Sequence, residues 1–287
     1  MLAIIFAFVT FFTWGTGDIF ATIVSRKIGA YNAAFYGYFF GFVIATAFIP
    51  FALKDTYTFS LPMILLTIFL AIIQFIAFYA YNVGIKIGNA SLVGTISGAF
   101  TSIVVVLSVI FLGERLLFQQ VIAIVIIFIG LFFASINISE LKNKKSLINK
   151  GTVYAFIAMI GWAIYFTFIK IPVKEAGFFW PTYYTDIVGS VGFVLLGAKK
   201  IKMPNIALQS GYPAALVTAI LLSVGSFSFN FAIGQGLSSV VASITGAYPA
   251  LFALLAYFIF KDPITHQQKF GMVVTLIGIV LLASFSG

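Results

Sequence analysis

Long apolar runs, broken at intervals by short polar clusters, decide what this chain can fold into. A helix rising 1.5 Å per residue needs roughly 20 apolar residues to cross about 30 Å of hydrocarbon. Reading between the polar breaks predicts spans at 2–24, 33–53, 60–85, 91–112 and 118–137, then 151–170, 180–198, 213–235, 238–260 and 268–285. The runs are continuous rather than alternating, so they select helices over a closed β-barrel. Across 287 residues, 62% are hydrophobic and 8% are charged, with a mean hydropathy of +1.15. A soluble fold with that balance would leave large apolar areas in water, which monomers avoid. A soluble enzyme, a disordered tail and a disulfide-rich secreted module are excluded together.

The breaks have recognisable chemistry. Ser25-Arg26-Lys27, Lys54-Asp55, Gly113-Glu114-Arg115 and Lys261-Asp262-Pro263 end runs with charge, glycine or proline. Lys142-Asn143-Lys144-Lys145 marks the middle of the chain, and Asn137 to Lys150 is its longest polar stretch, so no soluble domain is expected. The first 24 residues read as a retained span, because no basic region precedes the apolar run. With no cysteine and a single histidine, His266, disulfides, thiolate chemistry and histidine-rich metal sites are unavailable, and no cofactor or metal is expected. The net charge of +9 is assigned to membrane-flanking connections rather than to nucleic-acid binding.

Shifting the chain by 148 residues brings rare residues into register. Trp14 falls on Trp162, Phe20 on Phe168, Gly29 on Gly177, Tyr36 on Tyr184 and Asn82 on Asn230. Gly98-Ala99-Phe100 falls on Gly246-Ala247-Tyr248, Glu114 on Asp262, Gln119-Gln120 on Gln267-Gln268, and Gly130 on Gly278. A duplication follows. Five spans per half is an odd number, so the second copy must enter the membrane from the opposite side. The expected fold is an all-α membrane protein of ten transmembrane helices arranged as two inverted five-helix repeats. Residues 1–140 form the first repeat, 141–150 a basic linker and 151–287 the second. Inverted repeats suit alternating access about a central cavity, which points to transport.

The same residues resemble a known family. Phe12-Thr13-Trp14-Gly15 is similar to the end of the first helix in the EamA-like drug/metabolite transporters. Leu112-Gly113-Glu114-Arg115-Leu116 with Gln119 and Gly130 resembles that family's mark between the fourth and fifth helices. Phe260 to Thr265, with Gln268 and Gly278 behind it, is a degraded copy. The resemblance implies a secondary transporter of small metabolites in a prokaryotic cell membrane, often an exporter of amino acids or related compounds. Orientation is open. Odd-numbered connections hold 12 basic residues and even-numbered ones 4, which puts both termini outside by the positive-inside rule. The family resemblance implies termini inside.

Among seven carboxylates, Asp18 lies deepest, one helical turn from Trp14 on the same face. A charge inside a membrane usually faces a cavity or a partner. Asp18 is read as a cavity residue that contacts a solute or carries a proton; the alternative is an interfacial carboxylate, solvated or paired with Arg26 or Lys27. Gln74, Tyr79, Asn82 and Asn230 are further cavity candidates, with interhelical hydrogen bonding as the competing role for the asparagines. Trp14, Phe100, Trp162, Tyr165 and Tyr248 are candidate aromatic walls. Gly94, Gly98 and Gly246, together with Gly37 and Gly41, are expected to let helices approach, and Pro249 to kink its span. Glu114 and Arg115 are read as structural, remaining at the membrane interface.

No lysine or arginine lies deep in a span, which disfavours phosphate-bearing solutes. A neutral, zwitterionic or cationic small metabolite remains, with amino acid export as the family-implied case and possible proton coupling. A lipid or polyprenyl-carrier flippase and a sugar or nucleoside uptake carrier of the same fold stay open as alternatives. A membrane enzyme using Asp18 and Asp186 as a carboxylate pair finds no supporting spacing.

Overall fold

The computed structural model describes residues 1–52, 60–87, 93, 96–135, 150–201, 211–261 and 265–286. Residues 141–149 of the predicted basic linker (141–150) lie outside the described residues, as do Gly94, Asp55, Glu140 and Asp262. The first half holds α1 (Leu2–Ile28), α2 (Ala30–Ala52), α3 (Leu61–Ile87), α4 (Phe100–Phe111) and α5 (Phe118–Ser135). The second holds α6 (Lys150–Phe168), α7 (Lys170–Ala176), α8 (Phe179–Gly197), α9 (Gly211–Gln235), α10 (Ser238–Thr245), α11 (Tyr248–Phe260) and α12 (His266–Ser284). No strand occurs among the described residues.

Seven helical stretches are long and apolar enough to cross a membrane: Leu2–Ile28, Ala30–Ala52, Leu61–Gly84, Lys150–Ala176, Gly211–Gln235, Ser238–Phe260 and His266–Ser284. Two of the other expected spans are apolar but shorter, Ile96–Phe111 and Phe118–Ala134. The remaining one, Phe179–Gly197, has 19 residues but carries Thr182, Tyr183, Tyr184, Thr185 and Asp186 in its first half. The outer surface is apolar throughout, with Phe12, Phe69, Phe111, Leu195, Phe258 and Val280 exposed, as lipid contact requires. The interior is rich in alanine, including Ala7, Ala77, Ala123, Ala163 and Ala232, which brings helix axes close.

The 148-residue offset recurs in local geometry. Gly29 and Gly177 end their helices with φ of 85° and 73°. Gly113 turns the chain after α4 with φ 66°, and its counterpart Lys261 does the same after α11 with φ 61°. Gln120 Oε1 accepts from the Leu117 backbone N–H at 2.9 Å, and Gln268 Oε1 from the Thr265 N–H at 2.9 Å. The Gln-Gln pair is thus a repeated helix-start device, completed at Thr265 into a capping box.

It recurs in tertiary contacts as well. The α1–α9 pairing mirrors α6–α3, and α1–α11 mirrors α6–α4. Helices α2 and α8 cross so that Tyr38 fills the space over Gly189 while its counterpart Asp186 fills the space over Gly41. Helices α5 and α12 do likewise: Gly130 faces Thr275, and Gly278 faces Ile127. Gly246 lies against Thr101, but Gly98 and Gly37 have open space where a β-carbon would stand, so the expected small-residue stripe does not hold at those two positions. Pro249 also departs from expectation. The bend falls at Gly246–Ala247, and Pro249 sits in the first turn of α11, where its missing N–H costs nothing.

Glu114 has the structural, helix-capping part expected of it. It is 7% exposed, and it ties the two halves at one end of the bundle. Its Oε1 accepts from Lys170 Nζ at 2.7 Å and from the Ser238 N–H at 2.6 Å. Its Oε2 accepts from the Ser239 N–H at 2.9 Å and from Ser239 Oγ at 2.6 Å. Lys170 Nζ also donates to Gly236 O at 2.7 Å. The carboxylate therefore caps α10, in the other half of the chain, with the charge that a helix start favours. Ser60, in a fourth connection, donates its N–H to Glu175 Oε1 at 2.8 Å. At the other end, Arg26 lies over the Phe260 ring, 4.6 Å from its centroid.

Burial alone would push the Glu114 carboxyl up; hydrogen bonds from Lys170 and Ser239 outweigh it and hold the group below the ordinary 4.5. A depressed carboxyl stabilises the fold fully above that value and loses its contribution as pH falls below it. Acid unfolding of Glu114→Gln and wild type should therefore converge below about pH 4.5 and separate above it. Lys170→Met should cost roughly 3–5 kcal/mol in thermal or denaturant unfolding, because it strands a buried charge. Lys261→Gly should raise stability by up to about 1 kcal/mol, since only glycine adopts that backbone without strain; an unchanged or lower midpoint would count against the strain.

Candidate functional site

Helical spacing sets the first wall. Trp14 and Asp18 lie one turn apart on α1, and Trp162 and Phe166 occupy the equivalent places on α6. Tyr81 on α3 and Phe229 on α9 form another pair at the same offset. Phe100 and Tyr248 begin α4 and α11 just after breaks at Ala99 (φ −67°, ψ −4°) and Ala247 (φ −84°, ψ −2°). Each break tightens one turn and re-aims the ring that follows.

These eight residues meet in one largely aromatic cluster, or cage, whose rings are in mutual contact. Trp14 stacks on Phe229 at 5.6 Å and meets Tyr248 edge-on at 5.9 Å. In the other half Trp162 meets Tyr81 at 5.1 Å and Phe100 edge-on at 5.6 Å. Phe166 touches Phe229 and Phe100, each at 5.1 Å, and Trp14 at 5.6 Å. Its counterpart is Asp18, whose carboxylate is in electrostatic range of Tyr81 and Tyr248. The cage is thus twofold in pattern except at one corner, where a carboxylate stands in place of a ring. Asp18 keeps partial accessibility, and Trp162 Nε1 is a buried donor with no hydrogen-bond partner. Arg26 is engaged with Phe260, so it is not the counter-charge of Asp18.

A second polar group lies where α2, α6 and α8 meet. Tyr165 is edge-on to Phe166 at 5.1 Å, so the two groups touch. Thr185 Oγ1 donates to Pro181 O at 2.8 Å, which leaves the Tyr165 hydroxyl to donate to Thr185 Oγ1 across 3.2 Å. Gln74 interacts with the Tyr38 hydroxyl through its amide, while its Oε1 has no partner. Asp186 Oδ2 is likewise buried without a partner.

The EamA-like transporter family model matches residues 1–136 and again 149–284, so each half matches separately. The chain belongs to the EamA-like transporter family. This EamA-like protein is 23% identical over 265 residues to the S-adenosylmethionine uptake transporter of Rickettsia bellii, covering 90% of this chain and 85% of that one. It is 25% identical to the uncharacterized transporter YyaM of Bacillus subtilis, across 74% of this chain and 71% of that one. A solved crystal structure matches with a TM-score of 0.78 at 12% identity, covering 99% of this chain and 97% of the other, and shows the fold alone. The protein is an integral, multi-pass membrane transporter of the drug/metabolite superfamily, not an enzyme. The expectation of amino acid export finds no support, because the Rickettsia relative is named for uptake.

The other sequence-predicted residues stand apart from the cage. Asn82 Nδ2 donates to Phe78 O of its own helix at 2.8 Å. Asn230 Nδ2 donates to Thr182 Oγ1 at 2.8 Å and Phe178 O at 3.4 Å, which fastens α9 to α8. Tyr79 stacks on Phe75 at 6.5 Å, within a different apolar cluster. Sequence reading missed Phe166, Phe229 and Tyr38 because aromatic residues are common here; reading the 148-residue offset at Asp18, Tyr81 and Asp186 would have found all three. In the EamA-like protein, Asn230→Ala should lower stability by about 1 kcal/mol and leave solute affinity unchanged. A tenfold loss of affinity without loss of stability would return Asn230 to the site.

Proposed function

We propose that this EamA-like protein is a ten-crossing secondary transporter, with its halves inverted, that moves a cationic amino acid derivative bearing an aromatic ring, of the S-adenosylmethionine type, inward by alternating access. The meeting of the second, fourth, sixth and eighth connections at one end, through Ser60, Glu114, Lys170, Glu175 and Gly236 to Ser239, supports alternating crossings. The reciprocal contacts of α2 with α8 and of α5 with α12 support two copies related by an axis in the membrane plane.

One observation carries the choice of solute: Asp18 is the single carboxylate corner of an otherwise aromatic cage. Aromatic faces attract a cation, by about 0.5–2 kcal/mol each when desolvated, and they stack on a planar heterocycle without demanding polar partners. A carboxylate adds a charge-directed anchor that a neutral solute cannot use. The unpartnered Trp162 Nε1 offers a donor to an anionic or carbonyl oxygen of the same solute. The likeness to transporters named for S-adenosylmethionine uptake agrees with this chemistry.

Binding to the purified protein, compared between S-adenosylmethionine and S-adenosylhomocysteine, tests the charge directly, because the second lacks the sulfonium. Wild type should bind the sulfonium compound more tightly, and Asp18→Asn should lose roughly tenfold or more for it while leaving the neutral analogue unaffected. Equal affinity for the two compounds, or an Asp18→Asn variant that still discriminates, would overturn the assignment.

A further inference from the structure

The solute cage uses one of the two carboxylates in the helical interior and leaves Asp186 unexplained. Asp186 is the counterpart of Tyr38, and the two lie at the α2–α8 crossing, each over the other helix's glycine. A β-carbon at Gly41 would lie 3.1 Å from Asp186 Oδ2, so the carboxyl is pressed against the backbone of α2. That oxygen has no hydrogen-bond partner, although the residue as a whole keeps some accessibility.

Among the described residues no counter-charge stands beside Asp186. Tyr38 faces Asp186 from α2 and Tyr165 from α6, with the amide of Gln74 on α3 beyond Tyr38. On α7, Lys170 is held by Glu114, Lys174 is exposed and Glu175 is engaged with Ser60. Past the end of α8, Lys199 and Lys200 are exposed, and Lys200 lies over Tyr31. On α9, the nearest titratable side chain, Tyr212, meets Tyr36 edge-on at 5.2 Å. A carboxylate without a cation is unstable at membrane depth unless it takes a proton. The described residues hold no group of three or more metal-binding side chains.

We propose that Asp186 is a proton-carrying site at the α2–α8 crossing, separate from the solute cage, through which solute movement is coupled to a proton. The inference rests on the proposed inversion of the two halves. A carrier of the coupled ion must be reachable from each side in turn, and a residue at a crossing that the twofold relation maps onto itself has that reach in both states. The carboxylate takes one proton from one compartment to become the neutral acid. After the halves exchange conformations it returns that proton to the other compartment, so one proton crosses per cycle and nothing is consumed. Tyr165 touches Phe166 of the cage, which gives the proton site a physical link to solute occupancy.

The test uses the full chain reconstituted in liposomes, with two independent readings. Infrared difference spectra across a pH titration, with no solute present, should show a protonated buried carboxyl that disappears in the nearly isosteric Asp186→Asn and remains in Asp18→Asn. In transport, Asp186→Asn should keep S-adenosylmethionine counterflow, which reports an intact fold, yet lose tenfold or more of accumulation driven by an imposed pH gradient. A carboxyl signal unchanged by Asp186→Asn, or gradient-driven accumulation equal to wild type, would overturn the proposal. Failure of the solute assignment looks different: wild type would then bind no S-adenosylmethionine while the Asp186 carboxyl signal persisted.

Discussion

Close contact between helices from opposite halves of the chain is the constraint on which the rest of the structure depends. Within a bilayer, apolar side chains gain little by leaving lipid for protein, so helices hold together where small residues let backbones and side chains interlock. Here that interlocking is reciprocal. Tyr38 over Gly189 is answered by Asp186 over Gly41, and Thr275 over Gly130 by Ile127 over Gly278. Each of these two contacts is thereby made twice. The Glu114–Lys170 pair adds a polar tie at one end, where a single carboxylate completes the start of a helix in the other half.

The twofold pattern is broken at two carboxylates of the helical interior. A fully symmetric aromatic cage would be apolar and indifferent to charge. Placing Asp18 opposite Phe166 gives the cage a polarity, and placing Asp186 opposite Tyr38 does the same at the α2–α8 crossing. One acidic substitution comes from each half. Lys261 shows that the same divergence also costs something, since it keeps the backbone of Gly113 without the residue suited to it.

Much of the fold was legible because it rests on local and repeated features. Apolar run length marks helices in any membrane environment, and Trp14 with Trp162, or Gln120 with Gln268, reveals duplication because those residues are scarce or occur at helix starts. Of the residues in the cage, Trp14, Asp18, Phe100, Trp162 and Tyr248 were candidates from sequence, while Tyr81, Phe166 and Phe229 were not singled out among many aromatic residues. Asn82, Asn230 and Tyr79 could not be assigned from sequence, since a polar side chain at membrane depth can serve a cavity or fasten two helices, and its sequence position is the same in either role. Which helix Glu114 caps was not legible, because its partners, Lys170 and Ser238, lie far away along the chain.

By itself the sequence determined that this chain must be helical, must live in a membrane and must be built twice. Those conclusions depend only on hydropathy, helix rise and the register of like residues. Tertiary structure alone decided which carboxylate stands among aromatic rings, which lies at a helix crossing and which is neutralised by a lysine. The reason is physical: the free energy of a charge in a membrane is set by the side chains and water around it, and those neighbours come from helices that the linear order does not bring together.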